Sequence, residues 1–145
     1  MHSIVDDHSR YAYSELHADE RAETVTGFVE RALAHFTELG IEPRRLLSDN
    51  AFVYRRNRSL RELHAQHGIR HLFIPVRRPQ VNGKVERYQQ TLKREWALGR
   101  VYRSSSHRAT ALSHWLTHYN ERRPHSSLGG HPPISRVHNL PRQDT

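Results

Sequence analysis

Residues 78–87, Arg78-Pro79-Gln80-Val81-Asn82-Gly83-Lys84-Val85-Glu86-Arg87, carry a Pro/Asn/Gly loop into the first turn of a helix. Proline removes a backbone donor and Asn-Gly turns the chain. The helix predicted from Lys84 to Leu98 buries Val85, Tyr88, Leu92 and Trp96, which recur at helical spacing. Glu86, Gln90 and Lys93 then share a neighbouring polar face. Upstream, Arg45-Leu46-Leu47-Ser48 reads as a short apolar strand that breaks at Asp49-Asn50. One carboxylate leaves a strand tip, and the other stands at the start of a helix.

The rest of the chain alternates strand and helix around these two segments. Ser3-Ile4-Val5 and Arg10 to His17 read as strands joined by the turn Asp6-Asp7-His8-Ser9. A helix is predicted from Glu20 to Leu39, capped by Asp19 and ended by Gly40. Its apolar stripe is Val25, Phe28, Val29, Ala32, Leu33, Phe36 and Leu39. Gly27 inside it suggests close packing. A short helix from Ser59 to His67 precedes the strand Ile69 to Ile74. A last helix runs from Ser106 to Asn120, with Leu112, Trp115, Leu116 and Tyr119 inside. From Arg122 the chain is rich in Pro, Gly and Arg, and little regular structure is expected. The pattern is α/β with a mixed sheet, residues 1–121 forming the core and 122–145 a tail.

The 145 residues carry a net charge of +8. That excess suits a polyanionic partner such as DNA, because each cation set on a phosphate releases a counterion. Charge alone does not separate such a protein from any soluble basic one. The chain has no Cys, which excludes disulfides and thiolate chemistry. Its apolar runs are far too short to cross a bilayer, and the N-terminus does not resemble a signal peptide. A cytoplasmic protein without membrane contact is expected.

Magnesium prefers hard oxygen ligands and keeps several waters, so two or three carboxylates from separate elements make a site. Two such ions can activate a water or a 3′-hydroxyl and stabilise the leaving oxygen of a phosphodiester. Asp49 and Glu86 could share such a site. Taken singly, each could equally be a turn residue or a solvated helix residue. Lys84, Arg87 and Lys93 lie on the helix of Glu86 and are the leading DNA-contact candidates, with Arg78 beside them. Pro79, Gln80 and Asn82 could shape a loop over the site, although Asn82-Gly83 also reads as a plain turn. His114 and His118 stand four apart on one helical face, but no third zinc ligand is well spaced, and packing or surface roles are expected.

Ser48-Asp49-Asn50, the loop-helix segment 78–87, Tyr119-Asn120-x-x-Arg123-Pro124-His125-x-x-Leu128-Gly129 and Val5 to Arg10 together resemble the core of bacterial insertion-sequence transposases. These carry a retroviral-integrase-type DDE catalytic domain with a ribonuclease H-like fold. The resemblance spans nearly the whole chain in order. It implies a transposase that uses Mg²⁺ or Mn²⁺ to nick transposon ends and join 3′-hydroxyls to target DNA, working as a homo-oligomer. Asp49 matches the second acid of the triad and Glu86 the third.

Two departures stand out. The family pattern has Gly after Asp-Asn, where this chain has Ala51, so a positive φ there would be strained by about 1 kcal/mol. The family's first Asp lies on a central strand upstream of the segment that begins here at Ser3. The fold is therefore expected to lack that strand, and catalysis to be impaired. Asp6 and Asp7 read as turn residues. Two other readings are a non-catalytic DNA-binding partner of a full-length transposase, and a nuclease that recruits Asp6 or Asp7 to the metal. Without the central strand the sheet splits into two fragments with open edges, and the isolated chain should be marginal or oligomeric. A cooperative melt of a monomer above about 55 °C would contradict this.

Overall fold

Asp19 lies just outside the first helix, where its Oδ1 accepts hydrogen bonds from the Arg21 N–H and the Thr24 hydroxyl. In this computed structural model, which describes residues 1–74 and 83–138, helix α1 then spans Ala22–Glu38. Its N-cap residue is Arg21, with no side-chain cap, so Asp19 acts from two positions further out than expected. The helix ends at Gly40, whose φ of +86° is open to glycine without strain. The Ile41 N–H reaches back to the Phe36 carbonyl at 2.9 Å and closes the end.

The chain forms two compact units. The first comprises residues 1–2 and 15–82. Here α1 buries Val25, Phe28, Val29, Ala32, Leu33 and Phe36, the stripe read from the sequence apart from Leu39. Strand β3 (Arg45–Ser48) pairs in parallel with β4 (Arg70–Phe73), Leu46 against His71 and Ser48 against Phe73. Between them run α2 (Phe52–Arg55), which the sequence pattern did not reveal, and α3 (Arg58–His67). Asn57 is buried at the start of α3. Its carbonyl oxygen accepts from the Leu60 N–H, and its amide donates to the Ala22 carbonyl at 3.0 Å. One side chain thus caps α3 and ties it to the start of α1.

The second unit comprises residues 3–14 and 83–145. Strands β1 (His2–Val5) and β2 (Ala12–Glu15) pair as a hairpin whose outer ends fall in the first unit. The described strands thus form two two-stranded sheets, an adjacent-strand hairpin and a parallel pair. Helix α4 (Gly83–Leu92) and α5 (Ser105–Glu121) pack Tyr88, Leu92, Trp96, Leu112, Trp115 and Tyr119 around Ala12. Val85 is only partly buried. The Tyr88 hydroxyl meets Ser14 Oγ at 2.6 Å, and burial pushes that phenol's pKa up.

Two expectations fail in this unit. The helix of Glu86 does not continue as α-helix to Leu98. It widens into a π-helical turn over Lys93–Ala97, where the Leu98 N–H bonds the Lys93 carbonyl. In this turn Glu95 is held from two sides. Arg123 holds its carboxylate at 2.7–3.1 Å and Trp115 Nε1 donates to it, while Trp96 stays buried. Gly99 closes the turn, since a Cβ there would lie 2.4 Å from the Glu95 carbonyl oxygen. The tail is also more regular than expected. His125 bridges His131 around a 3₁₀ turn (Ser126–Leu128), and Pro133 opens helix α6 (Pro133–His138). Buried Leu128, Pro133 and Val137 supply the apolar contacts that its Pro/Gly composition hid.

Asn120 on α5 accepts from the Ala12 N–H at 2.8 Å and donates to the Ala12 carbonyl at 2.9 Å, all buried. Asn120→Ala would strand both backbone groups, each at about 1–3 kcal/mol. A urea titration should show the midpoint fall with an unchanged slope. An unaltered midpoint would mean that water replaces the amide freely.

Candidate active site

Asp49 ends β3. Its Oδ1 accepts the Ala51 N–H at 2.9 Å, and it has no cationic partner among the described residues. Asn50 fixes the loop that follows. Its amide donates to the Ile74 carbonyl at 2.7 Å beyond β4, and its oxygen accepts from the Arg55 guanidinium of α2. The loop is thus locked to the strand beside β3, a role the sequence reading did not assign. Ala51 has φ −58° and ψ 145°, ordinary extended backbone. The expected strain is absent, so Ala fits where the family pattern has Gly. Nearby, burial pushes the Tyr54 phenol up, and the Asp49 and Glu20 charges add to the effect.

An aromatic stack backs this strand tip. Ser48 Oγ contacts His71 Nε2 at 2.7 Å, and His71 stacks on Phe73 with ring centres 4.3 Å apart. The Arg55 guanidinium lies over the Phe73 ring, 4.9 Å from its centre. His64 packs edge-on against His71 at 4.9 Å. It is 4% exposed, and neither ring nitrogen has a hydrogen-bond partner among the described residues. A charged imidazole there would be poorly solvated, and burial with its His neighbours lowers the His64 pKa to about 4. His71 is lowered by burial too.

Glu86 stands exposed on the first turn of α4, in the second unit, while Asp49 belongs to the first. No hydrogen bond or ion pair engages Glu86 among the described residues. Gln90 and Lys93 are exposed with it, as the face argument requires, and so is Arg87. Lys84 is engaged. Its ammonium donates to the Asp7 carboxylate and, at 3.1 Å, to the Asp7 carbonyl. Asp6 and Asp7 divide the hairpin turn between them. Asp6 Oδ2 accepts from the Ser9 N–H and hydroxyl at 2.9 and 2.6 Å. Arg10, at φ +67°, donates to the Asp7 carbonyl at 2.8 Å, so its partner is Asp7's backbone rather than its carboxylate. Arg78, Asn82, Pro79 and Gln80 lie outside the described residues. His114 and His118 are exposed, and among the described residues no three His, Asp or Glu side chains are grouped to hold a metal.

Asp49 and Glu86 are each exposed, and among the described residues neither takes part in an ion pair. A carboxylate of this kind is the hard oxygen donor that a divalent cation such as Mg²⁺ prefers.

Comparison with known proteins places the chain. Integrase core domain profiles match residues 1–79 and 67–133, and the chain belongs to that family. It is 32% identical over 111 residues to the putative InsD transposase for insertion element IS2E of Escherichia coli, covering 77% of this chain and 50% of the relative. The InsD transposase for the IS2 element on the F plasmid of Escherichia coli matches at the same identity over 36% of its length. The chain thus spans half or less of these curated relatives. The crystal structure of the BIV integrase catalytic core superposes with a TM-score of 0.73 and 25% identity, over 93% of this chain and 82% of that one. The HTLV-2 integrase core solved with magnesium, in a trimeric form, gives 0.71 at 17% identity, over 94% and 83%. A chain of the simian T-cell lymphotropic virus intasome, solved in complex with PP2A regulatory subunit B56 gamma, gives 0.73 at 21%, over 97% and 48%. The fold is therefore ribonuclease H-like, as the sequence resemblance implied.

The histidines generate a pH prediction. An unfolded imidazole binds its proton near pH 6.5, whereas folded His64 stays neutral to about pH 4. Its contribution is present above pH 6.5 and is lost as pH falls from 6.5 towards 4. His71 adds in the same direction. Urea midpoints should decline across that window, and His64→Leu should decline less steeply. Parallel curves for the two proteins would refute the assignment.

Proposed function

We propose that the chain acts in DNA integration, as the part of a transposase catalytic core that brings Asp49 and Glu86 to a divalent-metal site. The reading is supported by one observation above the rest. In a chain of the integrase core family, the acids at a strand tip and a helix start are both exposed and, among the described residues, both without a cationic partner. Residues 1–121 would form the core, with 122–145 as its tail, in the cytoplasm. No helix of the described residues is long and apolar enough to cross a membrane.

Bound Mg²⁺ or Mn²⁺ would supply Lewis-acid stabilisation of the phosphodiester oxygens and an activated nucleophile. The chain's own task is to hold and orient. Asn50 and Arg55 keep the loop after Asp49 from shifting, and the first turn of α4 presents Glu86. Arg87 and Lys93, with Lys84, Arg78 and Asn82, would grip phosphates beside the acids and set the register of the DNA. DNA is the implied partner, transposon ends and target alike. A second copy of the chain is implied by relatives solved as an intasome and as a trimer.

The net charge of +8, which suits phosphate binding without any metal chemistry, favours a second reading. In it the chain joins strands weakly or not at all by itself, and serves as a DNA-binding partner of a full-length transposase.

Mn²⁺ titration by calorimetry, alongside nicking and joining of labelled insertion-sequence ends, tests both. Asp49→Asn and Glu86→Gln should each weaken Mn²⁺ binding and reduce joining to background while duplex binding survives. Mn²⁺ binding that neither substitution affects would sink the metal-site reading. DNA binding without any Mn²⁺ binding would select the non-catalytic partner.

A further inference from the structure

Lys84 lies two residues before Glu86 on α4, yet an acid already occupies it. Its ammonium is held by the carboxylate and the carbonyl of one residue, Asp7. The turn that carries Asp7 is built for this. Asp6 points inward and satisfies Ser9, and Ser9, fully buried, in turn accepts the Tyr11 N–H at 3.1 Å. Arg10 takes the left-handed conformation and pulls the Asp7 carbonyl from one side. Arg136 of α6 donates to the His8 carbonyl at 3.4 Å. With the turn pinned, the Asp7 side chain is left projecting, 86% exposed, against a Lys84 side chain that is 43% exposed.

An ion pair this open is cheap to break, because water screens both partners. It is also well aimed, because the negative charge sits beside the N-terminal turn of α4. These two properties suit a place-holder better than a structural strut. We propose that the Asp7 carboxylate occupies the phosphate position on Lys84, and that DNA displaces it, passing the ammonium from carboxylate to phosphate. The exchange breaks one ion pair and makes another, with no change of protonation. Asp7 then sets how weakly the unliganded site holds stray polyanions, and keeps Lys84 extended beside Glu86 until DNA arrives. The inference rests on the reading that DNA lies along α4.

The test is binding of a labelled random-sequence duplex to the full chain across a salt series, for native protein, Asp7→Asn, Lys84→Gln and the double variant. Asp7→Asn should tighten binding by about two- to five-fold, the worth of an exposed pair, without altering the salt slope. Lys84→Gln should flatten the slope by about 0.9, one phosphate contact. The double variant should match Lys84→Gln, since Asp7 has nothing left to release. Equal tightening by Asp7→Asn with and without Lys84 would reduce the effect to general repulsion and overturn the exchange. So would looser binding by Asp7→Asn with a lowered melting temperature, which would make the pair a strut. An unchanged slope in Lys84→Gln, with native binding intact, would also overturn the exchange while sparing the DNA-binding reading. Salt-independent or absent binding by the native chain would remove that reading itself, and the inference with it.

Discussion

Asn120 spends both halves of its side-chain amide on a single residue, Ala12, accepting from its N–H and donating to its carbonyl. That pair of bonds does for strand β2 what a neighbouring strand would do, but from a helix. It satisfies the backbone groups that burial would otherwise leave without partners. The rest of the second unit depends on it. With β2 fixed to α5, Ser14 reaches the Tyr88 hydroxyl, Tyr88 packs on Tyr119 and Trp115, and α4 is set against α5. The hairpin turn that carries Asp6 and Asp7, and the α4 turn that carries Lys84 and Glu86, inherit their positions from this one amide.

The first unit solves the matching problem with asparagines as well. Asn57 caps α3 while holding α1, and Asn50 couples the end of β3 to the end of β4. An amide can donate and accept at once, which a carboxylate cannot. Both residues sit where two elements begin or end together, so one side chain satisfies groups from each. Around Asp49 this leaves the carboxylate itself with a single backbone partner and free oxygen for other work.

Much of this was legible in the sequence. Helix α1 announced itself through its apolar stripe and Gly40, and α5 through Leu112, Trp115 and Tyr119. The strand that ends before Asp49 and the helix that begins around Glu86 were visible, because a strand end and a loop-to-helix junction are distinctive in sequence. What escaped had tertiary causes. Helix α2 is a single turn with no buried residue, so no periodicity marks it. The π turn carries Glu95, which Trp115 of α5 and Arg123 both bond, and no local pattern encodes those distant partners. Order in the tail depends on a few apolar residues, Leu128, Pro133 and Val137, scattered among turn formers. The engagement of Lys84 by Asp7 joins residues far apart in the chain, and spacing alone cannot show it.

The π turn has a further consequence, and it concerns chain length more than residue identity. Relative to a regular helix it contains one residue too many, and each residue turns the helix by about 100°. Removing any one residue between Lys93 and Ala97 would yield a more regular helix by every local measure. A deletion before Trp96 would also swing that ring out of the core and carry Gly99 away from the Glu95 carbonyl it approaches so closely. Local propensity and global packing therefore disagree about how long this segment should be, and packing decides. A change of chain length here acts on every residue that follows, whereas a substitution acts at its own position.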